Sequence, residues 1–326
     1  MRTWVLAAVA AAGFLAGLEA FWRARGHAPS VVDTPTLWSR ERRKIEQALP
    51  DAVVLLGSSR MQLDFSSEVF RSAYGARHAL VRLEIDGRHP MAALRDVAEN
   101  TPFAGLVICD VNAGSFQPDA WDGQQEYVEY YHRRLTLNGL VNREAATFVQ
   151  SRLAMVNPHL SSIAVTRFLV RRRRLPEPMY LITRADRSRE ADYGKLDIQA
   201  HRAERISRVR AGYGRGPALA PEEWLCQALA VEPFVERIQA RGGRVAFVRL
   251  PVSGEHLELD EARWPRALYW DRFAAATRAT TLDFRDLPGG AGFDCPDTSH
   301  LNYGDARRFT DLLLDELARQ GIGHRS

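Results

Sequence analysis

Two short stretches carry residue types suited to nucleophilic chemistry. Gly57-Ser58-Ser59-Arg60 follows the apolar run Ala52 to Leu56, and Asp297-Thr298-Ser299-His300 precedes the last amphipathic segment. A small-residue turn after a strand can present a hydroxyl at the edge of a sheet. A carboxylate three residues before an imidazole lets one turn of backbone hold both groups, the carboxylate steering the ring. Together they supply a serine nucleophile, its base and the orienter of that base. Arg60 adjoins the serines and is suited equally to a substrate anion or to a salt bridge with a helix. His78, His89, His132, His159, His201 and His256 are scattered without an i, i+4 ligand pair, so neither a metal site nor a cofactor is expected.

These residues need elements that bring them together. Leu37 to Leu49 reads as a charged helix and Ala52 to Leu56 as a buried strand. Met61 to Tyr74 follows as a helix, with Asp64 and Ser66 as candidate caps. Ala79 to Ile85 is a second strand ending at Asp86-Gly87, Pro90 to Asn100 a helix, and Leu106 to Val111 a third strand. This alternation implies an α/β fold with a parallel sheet and right-handed crossovers. From Phe116 to Gly242 there are helical stretches but no convincing strand. Strands resume at Arg244 to Leu250 and Thr281 to Phe284, and Tyr303 to Arg319 has helical apolar spacing. Ligands of such sheets sit beyond the carboxyl ends of the strands, where Ser59, Gly87, Asn112 and the Asp297 motif would converge.

The chain has 326 residues, 46% of them hydrophobic, which excludes wholesale disorder. Its net charge of +4 is too mild to imply nucleic-acid binding. Between Arg133 and Arg215 there are 18 basic residues against 7 acidic ones. That excess fits a solvated surface in an arginine-rich chain, or contact with anionic lipid or polymer. Cys109, Cys226 and Cys295 form no C-x-x-C pair and read as structural. Trp4 to Trp22 is apolar and long enough to cross a bilayer, with the two tryptophans at its interfaces. An uncleaved anchor is expected rather than a signal peptide, because the small-residue site near Ala20 is flanked by Leu18 and Glu19. Glu19 would lie near an interface or face a partner helix. The basic flank after the span argues weakly against export, but long folded domains translocate largely regardless of such charge.

On Gly57-Ser58-Ser59 after the first strand, Asp297-x-x-His300 before the last helix and the Leu250-Pro251 step, the chain resembles the SGNH (GDSL-like) hydrolase superfamily. It looks closest to membrane-anchored extracytoplasmic members associated with O-acylation of envelope polymers. The resemblance covers roughly 51–111 and 244–326. It implies a three-layer α/β/α sandwich with a five-stranded parallel sheet, here with a membrane anchor at 1–25, a linker and helix at 26–50 and a basic, mostly helical insertion at about 116–242. It also implies Ser59 as nucleophile, His300 as base, Asp297 as orienter, and Gly87 and Asn112 as oxyanion donors beside the serine's own N–H. Asp110-Val111-Asn112-Ala113 departs from the family's glycine-x-asparagine-aspartate, and Ser58 stands where an aspartate is usual. The implied activity is that of an esterase or O-acyltransferase on acyl esters of an envelope carbohydrate, in the periplasm, with an integral-membrane acyltransferase as partner. The alternative is a non-catalytic glycan-binding or scaffold protein of a membrane complex.

Overall fold

Burial on both faces is what the continuous apolar strands demand, and the chain provides it. The computed structural model describes residues 1–47, 49–75, 78–214 and 216–322. Ala48 of the expected helix 37–49, Arg215 of the basic stretch and residues 323–326 lie outside them. Five strands pair in parallel in the order β2-β1-β3-β6-β7: β1 (Val53–Leu56), β2 (Leu80–Arg82), β3 (Leu106–Asp110), β6 (Arg244–Arg249) and β7 (Thr280–Asp283). A separate antiparallel pair is formed by β4 (Leu181–Thr183) and β5 (Arg189–Ala191).

Alternate residues of the sheet enter two apolar clusters. Val54, Leu56, Val107, Cys109, Val245 and Phe247 pack with Trp38, Phe116, Trp224 and Phe273. Val53, Leu55, Leu106, Ile108, Ala246 and Val248 pack with Phe70, Phe309 and Leu313. The first cluster is covered by α2 (Pro35–Arg43), α5 (Met91–Asn100), α6 (Gln125–Arg133), α10 (Pro221–Leu229), α11 (Glu232–Gln239) and α13 (Trp270–Ala276). The second is covered by α3 (Ser59–Asp64), α4 (Ser67–Tyr74) and α14 (Tyr303–Arg319). Between β3 and β6 the chain also forms α7 (Leu137–Gln150), α8 (Ser162–Arg172) and α9 (Ile198–Tyr213), and α12 (Gly254–Arg263) follows β6.

Several expectations change. The single helix 61–74 is two, broken at Phe65-Ser66; Ser66 caps the second through Val69 N, while Asp64 ends the first and turns its carboxylate elsewhere. The elbow holds because buried Arg82 of β2 donates to the carbonyls of Met61, Gln62 and Phe65 at 2.9–3.1 Å. The insertion does contain strands, but β4 and β5 are three residues each, too short to show alternation. The stretch 26–36 is not a free linker. Ser30 and Val31 bond to both backbone groups of Thr183 on β4, and Asp33 holds buried Arg187 in a forked pair at 2.8 and 2.9 Å.

At the N-terminus, α1 (Arg2–Ala24) has a window of mean hydropathy 1.8 and is long and apolar enough to be a membrane anchor or a signal sequence. Trp4 is exposed, but Trp22 is buried against the protein, edge-on to His27, rather than free at an interface. Glu19 is bonded to the insertion: its two oxygens accept the backbone N–H groups of Ala154 and Met155, both at 2.9 Å.

Candidate active site

The sheet order reverses direction at β1, whose neighbours β2 and β3 lie on opposite sides. The carboxyl ends of β1 and β3 therefore flank a topological switch point, where α/β sheets bind ligands. Gly57 leaves β1 there with φ +150°, and a Cβ on it would stand 2.8 Å from the Cβ of Asp110 and 2.9 Å from that of Met61. Only glycine lets the strand turn into α3 this close to β3. The two serines then part. Ser58 sits before α3 and its hydroxyl lies 3.4 Å from Asp110 Oδ2. Ser59 opens α3, half-buried, with its Oγ 2.8 Å from His300 Nε2.

The segment just before α14 supplies the rest. His300 Nδ1 lies 2.8 Å from Asp297 Oδ2. Asp297 Oδ1 accepts the N–H groups of Ser299 and His300 at 2.9 and 2.8 Å. Thr298 between them has φ 73°, a costly conformation for a β-branched residue, and it is what lets one carboxylate collect both N–H groups and the ring. Leu301 N donates to Asp64 Oδ1 at 2.8 Å, tying the end of α3 to the residue after His300. Burial holds the Asp64 carboxyl well above the usual range.

The electrostatics suit a base. Burial lowers the His300 pKa, with Asp297 opposing and Arg205 and Arg60 reinforcing. Burial would raise Asp297, yet the His300 hydrogen bond and charge, with Arg205, hold its carboxyl below the usual range. Nδ1 faces an ionised carboxylate and so carries the proton, leaving the Nε2 lone pair for the Ser59 hydroxyl. As an N-terminal residue of α3, Ser59 also has a backbone N–H without an intrahelical acceptor.

The structure joins Ser59, His300 and Asp297 directly. Asn112, two residues beyond β3, folds its side-chain oxygen onto Ser115 N at 3.1 Å, and the Ser115 hydroxyl returns a contact to Asn112 N. Because Ser115 N–H is a donor, the atom facing it is the oxygen, and the Asn112 NH2 makes no hydrogen bond among the described residues. Gly87 lies exposed in the turn after β2 with φ 67°, bonded to none of the three. Ile85 N, two residues earlier, bonds to Gly57 O.

Other residues arrive from the insertion and went unread in the sequence. On α9, Arg205 Nε and His201 Nε2 lie 3.8 and 4.0 Å from Asp297 Oδ2, and Arg202 donates to Pro296 O at 2.9 Å. Tyr213 at the end of α9 donates to Asp260 of α12. A serine and D-x-x-H can be found by type and order, whereas α9 has no signal beyond its basic charge. Open clefts of about 610 and 690 Å³ elsewhere hold none of the triad residues. No family model matches this chain, and no curated protein matches it.

Proposed function

We propose that the protein is an SGNH-like serine esterase or O-acyltransferase acting on acyl esters of an envelope carbohydrate, with a three-layer α/β/α catalytic domain. The observation that carries this reading is the unbroken relay Ser59 Oγ, His300, Asp297, each link 2.8 Å, at the switch point of a parallel sheet. Helices on both sheet faces and α1 as a membrane anchor support it. The anchor would hold the domain on the periplasmic side, beside an integral-membrane acyltransferase that hands over the acyl group.

In the reaction, Ser59 Oγ attacks the ester carbonyl as its proton passes to His300 Nε2. The carbonyl oxygen gains the negative charge, which the Ser59 N–H and the NH2 of Asn112 would stabilise. An oxyanion donor of this kind is worth roughly 3–4 kcal/mol. The tetrahedral intermediate collapses, the C–O bond to the leaving alcohol breaks, and the alkoxide takes the proton from His300. Water or a sugar hydroxyl then repeats the sequence on the acyl-enzyme.

Turnover of a chromogenic acetate ester by the full chain tests this. Ser59→Ala is expected to lose at least about 10³-fold in kcat while remaining folded. Full turnover in that variant would overturn the assignment. A wild type inert towards esters yet retaining glycan binding would leave the non-catalytic glycan-binding reading.

A further inference from the structure

Arg60 is 8% exposed, and its guanidinium makes no hydrogen bond or ion pair among the described residues. Burial opposes its charge, and Asp110, Asp260, Tyr213 and Asp64 support it from a distance. Arg60 follows Ser59 directly in α3, and its charge disfavours protonation of His300, His89 and His256. His256, also 8% exposed, has Nε2 3.6 Å from Asp260 Oδ1, while its Nδ1 is buried with no partner. Burial keeps this ring neutral, its pKa pushed down to about 4. A proton on Nε2, the ring nitrogen nearer the Asp260 carboxylate, leaves Nδ1 as an acceptor.

We propose that Arg60 and His256 form a subsite beside Ser59 for a hydroxylated carboxylate, a uronate residue of the acylated glycan. The guanidinium takes the carboxylate in a forked pair, and Nδ1 of His256 takes a ring hydroxyl. A monoanion fits better than a phosphate, because one free cation stands among Asp110 and Asp260. The subsite deepens the esterase reading and rests on it only for the identity of the attached ester.

Binding and turnover separate the two ideas. Calorimetry on the full chain in detergent, with Ser59→Ala to prevent reaction, should show tetragalacturonate binding and at least about tenfold weaker maltotetraose binding. Arg60→Gln should remove that preference and Arg60→Lys should keep part of it. Wild-type kcat/KM should favour an acetylated methyl glucuronoside over the glucoside by a similar factor. Preference for mono-p-nitrophenyl succinate without preference for the uronate would place the carboxylate on the acyl group and overturn the proposal. So would equal binding of acidic and neutral oligosaccharides, or binding of neither. Binding without turnover of any ester would sink the esterase reading and leave the subsite standing.

A second observation lies elsewhere. Leu137, Val141 and Phe148 form one exposed apolar stripe along α7, and Ile163 and Val170 are exposed on α8, whose end and the two residues after it are Arg171 to Arg174. Arg152, stacked 3.7 Å over Phe148, gives its carbonyl to Arg23 of α1 at 2.6 Å. Glu19, bonded to Ala154 and Met155, lies three residues before Trp22, about 4.5 Å along the helix. An α1 that spans a bilayer therefore brings this side of the insertion down to the headgroups. We infer that α7 and α8 rest on an anionic lipid surface, apolar side chains in the interface and arginines on phosphates.

The full chain carrying Cys226→Ser, with a fluorophore on Val141→Cys or Val170→Cys, can be placed one copy per nanodisc containing brominated phosphatidylcholine and phosphatidylglycerol. Quenching at both positions and none at Arg308→Cys on α14 is expected. No quenching at Val141 and Val170 would overturn the inference, and burial of these positions only in discs holding two copies would assign the face to self-association.

Discussion

At the residue scale, two adjacent serines are separated by one peptide bond and by their partners. Ser58 turns to Asp110 and Ser59 to His300, because Gly57 ends the strand and α3 starts a new direction. The proposed base, His300, sets a pH dependence with a definite sign. Burial lowers the folded pKa of His300 below the ordinary value of about 6.5. The neutral, active base is therefore present at neutral pH and is lost as pH falls through that lowered value. The acid limb of kcat/KM for a neutral ester is expected below pH ~6.5; a limb well above it would contradict the burial argument. Asp297→Asn should lower kcat by roughly 10³–10⁴-fold while leaving the fold intact, since the amide favours the wrong tautomer.

At the scale of elements, the site depends on the elbow between α3 and α4. Arg82 is fully buried, pairs with Glu84 at 2.6 Å and satisfies carbonyls of α3 that the helix end leaves open. Arg82→Met should cost roughly 3–5 kcal/mol in urea unfolding, because Glu84 and those carbonyls lose their partner. A cost under about 1 kcal/mol would show that the elbow holds without it. No local sequence pattern marks this elbow. The parallel strands and the last helix, Tyr303–Arg319, were legible because apolar runs and 3.6-residue spacing report burial directly. A helix broken by an arginine from another strand leaves no local trace, and neither do strands of three residues or a proline-bearing stretch that bonds to β4.

For the whole molecule, the insertion is part of the site. Its helix α9 places Arg205 against Asp297, and the turn between β4 and β5 locks Arg187 onto Asp33 and onto the carbonyls of Arg82 and Glu84. Charge composition marked this region as basic; only the fold shows which arginines face inward. Because the Arg205 charge opposes protonation of His300, Arg205→Gln should move the acid limb of kcat/KM to higher pH. An unmoved limb would make α9 a structural cover. The same insertion bonds to Glu19 and Arg23 of α1, so that helix and the candidate site meet through one region of the chain. The central claim is that Ser59 is an activated nucleophile. A fluorophosphonate probe on the folded full chain, followed by peptide mapping, tests it most directly. One adduct on Ser59, absent in Ser59→Ala and strongly slowed in His300→Ala, is predicted; an unlabelled wild type, or labelling that persists in Ser59→Ala, would contradict it.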